Sequence, residues 1–398
     1  MLTRKHTVLR DTAIPNTREP FEAGTPRRAP AARAEAWERT PPEPRIETEE
    51  LTANGLRQLA RDPEVVSIAP VMPTRLIEPL PAQAAAGASW GIAAVRADLS
   101  AFDGQGVTVS VLDTGIDAGH AAFAGVNLEQ QDFSGDGNGD VNGHGTHCAG
   151  TIFGRDVNAT RIGIARAVPK ALIGKVLGNN GSGDSDMIFR AIQWAANGGA
   201  DVISMSLGFD FPGLVKRLTD AGWPVALATS AALEAYRGNL RMFDALMALI
   251  RARAAFGPSA VVVAAAGNES ERDTNPEFEI AASLPAAAEG VVSVGALRQA
   301  GAALDIAPFS NTLPQISAPG VAIVSARVGG GLRALSGTSM ACPHVAGVAA
   351  LWWQAVRAQP LPATGTVVTS RLFASARSDV FVNGVDVADR GVGLATAP

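Results

Sequence analysis

Apolar residues occur along most of the chain in short continuous runs, which alternate with segments whose apolar positions recur every three or four residues. The runs are rich in Val, Ile and Ala, a composition typical of parallel strands buried on both faces. The pattern predicts strands at 107–113, 171–177, 201–207, 261–267 and 291–297, and helices at 186–197, 231–254 and 341–358. This alternation predicts an α/β fold: a doubly wound, mostly parallel sheet with helices on both faces.

The first 89 residues have a different pattern. Residues 1–45 are Pro-rich and lack an apolar period, which predicts a flexible N-terminal segment in which 6–11 could form a lone strand. Residues 46–80 contain a short helix that Thr52 can cap and an apolar run at 65–69, which indicates a small α+β unit. We assign a linker to 81–89 and the main domain to 90–398.

Composition narrows the class of protein. The chain has 398 residues, of which 18% are charged, and a formal net charge of −5. Nucleic acid is therefore not expected as the main partner, because phosphate binding needs clustered positive charge. The longest apolar run, around 345–353, is far shorter than the roughly 18 residues that span a bilayer, so no membrane partner is expected. The first residues lack the apolar region of a secretory signal, which leaves cytoplasmic action and non-standard export both open.

Four polar residues occur at strand ends or helix starts, where doubly wound sheets bind ligands. Asp113 ends one predicted strand, and Asn268 follows another. His144 lies between two glycines before a helix-forming run, a position that suits a neutral general base. Ser339 precedes the long apolar helix, where backbone amides favour a developing anion. Each residue alone also has an ordinary role in capping, turn formation or packing.

Taken together, the four residues supply every part of a site for nucleophilic acyl transfer. Their order along the chain, Asp, then His, then Ser, excludes the layout of the α/β-hydrolases, in which the serine comes first. A metal site built from His144 and His147 is a weaker alternative, because the sequence offers no obvious third ligand. We therefore predict no metal in the catalytic site.

Five separated blocks carry a more specific signal: VLDTGID (111–117), NGHGTHCAG (142–150), SMSLG (204–208), AAAGNE (264–269) and GTSMACPHVAG (337–347). In this order they resemble the signature blocks of the subtilisin-like serine proteases, the subtilase family. The HGTHC block is similar to that of the proteinase K-like branch. The resemblance covers about residues 90–398. It implies a serine-type endopeptidase that hydrolyses peptide bonds in extended protein segments through an acyl-enzyme.

The resemblance implies a role for each of the four residues. Ser339 would be the nucleophile, and His144 would be the general base that later protonates the leaving amine. Asp113 would orient the imidazole ring, and Asn268 would form the oxyanion hole with the backbone amide of Ser339.

The resemblance also implies a substrate-binding set, which flanks an extended peptide on two sides: Ser206, Leu207 and Gly208 on one side, and Gly181, Ser182 and Gly183 on the other. These residues would bind the peptide backbone by adding it as a strand. Glu269 would lie near the pocket rim and favour basic or polar side chains, and Asp140 could do the same at a neighbouring subsite.

Residues 46–80 resemble the second half of the propeptides that inhibit many subtilases. The resemblance implies a zymogen whose N-terminal segment acts as an intramolecular inhibitor, with 70–80 in the substrate cleft and self-cleavage within 81–89. A permanent regulatory arm is the alternative.

Two features depart from the family. No cofactor is expected to be required. The usual calcium sites of the family are doubtful, because Arg155 and Arg161 occupy candidate ligand positions. The acidic stretch 132–140 could bind a structural calcium ion instead. Residues 209–260 form a longer stretch than usual, whose helix either packs on the core or binds a partner. A dedicated processing protease for one cognate protein and a non-catalytic binding protein are the alternative functions.

Overall fold

The fold combines one large α/β domain with a small N-terminal unit, in a computed structural model that describes residues 3–12, 43–82, 90–254, 257, 259–360 and 362–398. The strands are β1 Arg4–Asp11, β2 Pro44–Leu51, β3 Val65–Pro70, β4 Pro73–Leu76, β5 Leu80–Ala82, β6 Thr108–Asp113, β7 Asn127–Asp132, β8 Lys170–Lys175, β9 Ser182–Asp184, β10 Val202–Met205, β11 Leu207–Phe209, β12 Val261–Ala265, β13 Val291–Ala300, β14 Ala303–Ile306, β15 Ile316–Pro319, β16 Ile323–Ala326 and β17 Leu332–Ser336. The α-helices are α1 Ala53–Leu59, α2 Trp90–Ala94, α3 His144–Phe153, α4 Ser185–Asn197, α5 Phe211–Asp220, α6 Val225–Arg253, α7 Thr338–Arg357, α8 Gly365–Ala374 and α9 Val387–Arg390.

The largest sheet has eight strands in the order β14-β13-β12-β10-β6-β8-β7, with β15 also paired to β13. All neighbouring strands are parallel except β13 and β14. The five predicted strands are β6, β8, β10, β12 and β13, and they form the centre of this sheet. The prediction of a doubly wound, mostly parallel α/β fold is confirmed.

Each face of the sheet forms its own hydrophobic core, because successive side chains of a strand point to opposite faces. In β12, Val261 and Val263 belong to the cluster that also contains α3 and α7, whereas Val262 and Ala264 belong to the cluster that contains α4 and α6. Strands buried on both faces read as continuous apolar runs, which explains why periodicity revealed them.

Helix α7 runs through the first core and is buried from Thr338 to Leu351. It lies between α3 and the central strands β10, β12, β13 and β15. Its small apolar residues allow close approach, since a Cβ at Gly347 would lie 2.6 Å from Ile164 Cβ. None of the helices in the described ranges is long and apolar enough to cross a membrane.

The N-terminal unit is a three-stranded antiparallel sheet in the order β2-β1-β3, joined to helix α1. Strand β1 contains the strand that was considered for 6–11, but it is the central strand of a sheet and not a lone one, so this part of the predicted segment 1–45 is not flexible. Its partner β2 begins at Pro44. The folded N-terminal unit therefore includes residues before the boundary that was predicted at residue 46. Local periodicity did not reveal this pairing, because the two strands are far apart in sequence. The remainder of the predicted flexible segment, 13–42, lies outside the described residues.

After this unit the chain crosses the main domain as two further strands. Strand β4 lies between β9 and β11 and is antiparallel to both, and β5 pairs antiparallel with β17. All three flanking strands belong to the large domain, so the N-terminal segment completes two of its small sheets. Residues 83–89 of the predicted linker lie outside the described residues, whereas 81 and 82 belong to β5.

The extended stretch 209–260 forms α5 and the 29-residue helix α6. Phe243 of α6 packs on Phe189 of α4 with ring centroids 4.5 Å apart. One turn earlier in the same helix, Asn239 Nδ2 donates a 2.8 Å hydrogen bond to the carbonyl of Pro70 in the N-terminal unit. The helix therefore packs on the core, as one of the two alternatives predicted, and it also contacts the N-terminal unit.

Gly91 in the short helix α2 lies directly against His344 of α7. A Cβ at this position would lie 2.1 Å from His344 Nε2, and the ring cannot easily move because its Nδ1 donates a 2.8 Å bond to the Met340 carbonyl. We expect Gly91→Ala to lower the free energy of unfolding by about 1–3 kcal/mol through overpacking. Denaturant unfolding tests this, with Gly119→Ala as the control, because the nearest contact of a Cβ there is an ordinary 3.6 Å. An equal effect of both substitutions would contradict the prediction.

Candidate active site

Three predicted residues meet at the carboxyl end of the large sheet. Asp113 is the last residue of β6, His144 is the first residue of α3, and Ser339 is the second residue of α7. Strand ends and helix starts converge at this edge of a doubly wound sheet, so residues far apart in sequence become neighbours. All three side chains are buried, with at most 1% exposure.

Asp113 holds the imidazole ring of His144 in place. His144 Nδ1 lies 2.8 Å from Asp113 Oδ1 and 3.0 Å from Oδ2, and the backbone amide of Thr114 also donates to Oδ1 at 2.7 Å. A carboxylate can only accept, so the ring proton resides on Nδ1 and the Nε2 lone pair is left available. Nε2 is buried and has no hydrogen-bond partner among the described residues.

Ser339 faces a carbonyl of the chain's own N-terminal segment. Its Oγ donates to the carbonyl of Ile77 at 3.2 Å and, at 3.5 Å, to that of Ser206. No hydrogen bond joins Oγ to His144 within the described ranges. The hydroxyl is thus turned toward the segment that covers it.

Pro343 fixes the surroundings of Ser339 from within α7. A proline has no N–H, so the Ser339 carbonyl lacks the helical bond that residue 343 would otherwise donate. Ser206 Oγ and Cys148 Sγ donate to that carbonyl instead, at 3.2 and 3.4 Å. The proline thereby links the helix start to two neighbouring elements.

The side-chain amide of Asn268 has a fixed orientation. Its Oδ1 accepts from the backbone amide and the hydroxyl of Thr338, at 2.8 and 2.9 Å. Nδ2 therefore faces the cleft, where it donates to the carbonyl of Glu78 at 3.1 Å. The preceding Gly267 has φ 118°, and a Cβ there would lie 2.3 Å from Asn311 Nδ2, so only glycine fits.

The predicted substrate-binding residues flank β4. Leu207 and Gly208 pair with Leu76 and Arg75, and on the other side Ser182 and Gly183 pair with Arg75 and Thr74. The Gly181 carbonyl accepts a 2.8 Å bond from the amide of Leu76. Ile77 follows, buried to 3% exposure, and a Cβ at Gly208 would lie 3.5 Å from its side chain. The predicted strands thus hold a peptide backbone, which here is the chain's own.

The structure places three acidic residues at or near the cleft, and only Asp140 differs from its predicted position. Glu269 lies at the rim of the cleft, 3.7 Å from Arg75, and Asp210, which the sequence analysis missed, lies 3.6 Å from the same arginine. Asp140 is buried, and it accepts hydrogen bonds from Thr114 and from Gly143 and Thr146. The prediction that Asp140 lines a subsite is wrong, because its oxygens hold the loop before α3.

Cys148 lies beneath the site, with its Sγ 3.7 Å from His144 Nδ1. Burial raises the pKa of the Cys148 thiol well above its ordinary value. Burial likewise raises the pKa of Cys342 to about 11. Both cysteines are free and buried, so they act as small packing residues near the site.

The candidate calcium ligands already have hydrogen-bond partners within the protein. Asp132 accepts from Ser134, Gly135 and Gly137, so its carboxylate already serves the turn that follows β7. The guanidinium groups of Arg155 and Arg161 donate to backbone carbonyls, including those of 163, 164, 166 and 168. A cationic side chain therefore occupies oxygens that a metal would need.

The histidines do not form a separate metal pair. His147 Nε2 bonds to the Ile323 carbonyl at 3.1 Å, away from His144. Among the described residues, the one cluster of metal-ligating side chains is Asp113, His144 and Cys148, in which Asp113 and His144 are already paired.

Comparison with known proteins identifies the family. A sequence model of the Subtilase family matches residues 104–393. Subtilisin-like protease 1 of Arthroderma otae is 35% identical over 284 residues, which cover 66% of this chain and 48% of that protein. The chain thus spans about half the length of this relative. The chain belongs to the subtilase family.

Two bacterial relatives agree with this assignment. The thermostable alkaline protease of Halalkalibacterium halodurans is 33% identical over 312 residues, covering 76% of this chain and 70% of that protein. The major intracellular serine protease of Bacillus subtilis is 36% identical over 259 residues, covering 62% and 68%. The predicted family resemblance is confirmed.

Proposed function

We propose that the chain is a serine endopeptidase that hydrolyses extended protein segments. One observation carries the proposal: the Ser339 hydroxyl and the Asn268 amide both contact carbonyls of a peptide strand, beside the Asp113–His144 pair. A hydroxyl at a carbonyl, a paired imidazole and an aimed amide donor are the parts of an acyl-transfer site.

The reaction follows from these positions. Ser339 Oγ rotates to His144, gives its proton to Nε2 and forms a bond to the substrate carbonyl carbon. The carbonyl oxygen becomes an oxyanion, which Asn268 Nδ2 and the Ser339 backbone amide stabilise. His144 then passes the proton to the leaving amine, and the amide bond breaks. Water attacks the acyl-enzyme in the same manner and releases the carboxylic acid, while Asp113 stabilises each imidazolium.

We further propose that the chain is made as a zymogen. Asp113, His144 and Ser339 are almost fully buried, and residues 73–82 cross the cleft as β4 and β5. This segment presents the Ile77 carbonyl to Ser339, but Asn268 contacts the next carbonyl, that of Glu78. The nucleophile and the oxyanion donor thus address different peptide units, which supports a role of the bound segment as an inhibitor.

The N-terminal unit anchors this segment on α4. Gln193 accepts from the amide of Ile46 at 3.0 Å and donates to the Pro44 carbonyl at 2.6 Å. Asp186, which is buried, lies 3.3 Å from Lys5 Nζ and accepts from the Thr48 hydroxyl. These contacts hold the sheet β2-β1-β3 against the main domain and support its role as an intramolecular inhibitor.

The carbonyl that contacts Ser339 Oγ belongs to the Ile77–Glu78 peptide bond, which precedes the predicted cleavage region 81–89. Residues 81 and 82 pair with β17 beyond the serine, so the predicted cleavage region would have to slide through the cleft to reach Ser339. We propose that self-cleavage occurs after Ile77. Self-cleavage at a bond within 81–89 is the alternative. The masses of the fragments distinguish the two cleavage sites.

A fluorophosphonate probe and mass spectrometry test both proposals. The wild-type chain should be labelled on Ser339 and should yield a new N-terminus at Glu78, whereas Ser339→Ala should stay unlabelled and uncut. Ser375→Ala, a serine outside the site, serves as the control and should behave as wild type. A wild-type chain that is never labelled or cut would favour the non-catalytic binding protein. If Ser339 is labelled but the chain is cut at another bond, the protease assignment holds and cleavage after Ile77 is wrong.

Asn268→Asp should lower kcat by about 10²–10³-fold with little change in KM. The aspartate keeps the shape and the acceptor for Thr338 but removes the Nδ2–H donor, which acts mainly on the oxyanion. Peptide-hydrolysis kinetics measure this, with Asn275→Asp in a loop after β12 as the control. A kcat within twofold of the wild-type value would contradict the role assigned to Asn268.

We propose that no metal ion supports the fold. The melting temperature of the Ser339→Ala chain should be the same in calcium and in a chelator, because guanidinium groups and backbone amides already occupy the candidate oxygens. An ion that binds only the native state would instead raise the melting temperature with its concentration. A calcium-dependent increase would overturn this proposal.

A further inference from the structure

Arg75 in the cleft strand β4 bridges two carboxylates of the main domain. Its Nη1 lies 3.6 Å from Asp210 Oδ1, and its Nη2 lies 3.7 Å from Glu269 Oε1. The two contacts use different nitrogens, so one planar guanidinium spans both acids. The arginine side chain is 46% exposed, which places the contact at the rim of the cleft, where solvent screens it.

The backbone position of Arg75 is fixed relative to Ser339. Arg75 pairs with Gly208 on one side and with Ser182 on the other. Ile77, whose carbonyl accepts from the Ser339 hydroxyl, is two residues further along the chain, directly after β4 ends at Leu76. A peptide bound in this register therefore presents its residue two positions before the attacked carbonyl to Asp210 and Glu269.

Both carboxylates are held by contacts that do not involve Arg75. Asp210 caps α5 and accepts from the amide of Gly213 at 3.0 Å. Glu269 Oε2 accepts from Nδ2 of the buried Asn311 at 2.8 Å, and Asn311 Oδ1 accepts from the Glu269 amide at 3.0 Å. The acids thus keep their positions when the segment leaves.

Arg75 is also the cation that offsets part of the negative charge of this pair. Within the ranges that the structure describes, neither Asp210 nor Glu269 has another ion-pair partner. Once the N-terminal segment dissociates, two fixed negative charges face the cleft at one subsite. Such a site attracts a cationic side chain and repels an anionic one.

We propose that Asp210 and Glu269 form a specificity site for Arg or Lys, two residues before the residue whose carbonyl is attacked. The inference rests on the proposed protease function and names its substrate class: extended peptides with a basic residue at that position and an aliphatic residue at the cleaved bond. The inhibitor segment uses the same site in cis through Arg75.

The expected preference is modest, because each exposed ion pair contributes little in water. Two such pairs correspond to about a three- to tenfold higher kcat/KM for arginine than for alanine, with glutamate below alanine. The preference should decrease as salt concentration rises, since screening weakens the charge contact. A role of the two acids in packing alone would not produce this salt dependence.

Internally quenched peptides test the inference. They carry residues 73–78 followed by alanines, with Arg, Ala or Glu at the position of Arg75, and the self-processed wild-type chain hydrolyses them. The ratio of kcat/KM between the Arg and Ala peptides is then measured in Asp210→Asn and Glu269→Gln. Asparagine and glutamine keep the shape of each side chain, and asparagine is also a good helix cap. Asp220→Asn, which removes an exposed charge elsewhere on α5, is the matched control.

The outcomes separate the inference from the proposed function. An Arg-to-Ala ratio that falls toward one in both variants, but not in Asp220→Asn, supports the acidic subsite. Equal cleavage of all three peptides by the wild-type chain overturns the subsite and leaves the protease assignment intact. A chain that cleaves no peptide and resists the fluorophosphonate overturns both.

Discussion

Replacing Asp113 with asparagine is expected to lower kcat by about 10⁴-fold while leaving the fold unchanged. Asp113 accepts the Nδ1 proton of His144 at 2.8 Å, which leaves Nε2 free to take the proton of Ser339. The asparagine amide can instead donate to Nδ1, so the ring proton moves to Nε2. In that tautomer His144 cannot act as a base toward the serine.

Steady-state hydrolysis of a peptide and the rate of fluorophosphonate labelling should decrease together in Asp113→Asn. The variant should also accumulate as the uncut chain, because self-cleavage uses the same base. Asp305→Asn on β14, at the edge of the large sheet, is the control and should retain the wild-type rates. If Asp113→Asn folds normally and keeps kcat within tenfold, the orienting role of Asp113 is wrong.

Acidification is expected to destabilise the native state below about pH 6.5. Burial, with smaller effects from His144 and Arg333, lowers the pKa of His147 to about 3, and burial lowers that of His344 to about 4. Above pH 6.5 both rings are neutral in the folded and unfolded states. Below it, only the unfolded chain takes up these protons, so the free energy of unfolding decreases as pH falls toward 4.

Each histidine lowers the free energy of unfolding by about 1.4 kcal/mol per pH unit in this range. For both histidines together, the decrease between pH 6.5 and 4.5 is about 5 kcal/mol. Urea unfolding of the Ser339→Ala chain, which cannot digest itself, measures this at pH 7, 6 and 5. In His344→Gln, unfolding should take up about one proton fewer, so the unfolding free energy should depend on pH about half as steeply. An unfolding free energy that does not change between pH 7 and pH 5 would contradict the prediction for both histidines.

The central sheet was predictable because its strands are buried on both faces. Val261–Ala265, for example, is a continuous apolar run, and the sequence shows this without any knowledge of its neighbours. The positions of the four site residues were predictable for a related reason: Asp113 ends a strand, Asn268 follows one closely, and His144 and Ser339 lie in the first turn of a helix. Their roles were implied by the family blocks, and the geometry supports them.

The N-terminal unit was harder to predict, because its contacts are not local. Strand β1 pairs with β2 across residues 13–42, and no periodic pattern records which distant strand a segment will join. Asp210 was missed for the same reason: its charge matters only because Arg75 lies opposite. Asp140 was misassigned since a carboxylate close to His144 in sequence can equally well face inward and accept hydrogen bonds.

The path of residues 73–82 has a consequence for activation. A cut after Ile77 would separate two products that are retained differently: the N-terminal unit would remain docked on α4 and α6, while β5 would stay covalently tethered to the main domain through 83–89. A short tether keeps such a strand at an effective concentration of about a millimolar, so it would rebind β17 and compete with incoming peptides. Cleavage of the chain after Ile77 would then precede full activity on peptide substrates. A time course of peptide hydrolysis would show a lag after the backbone is cut.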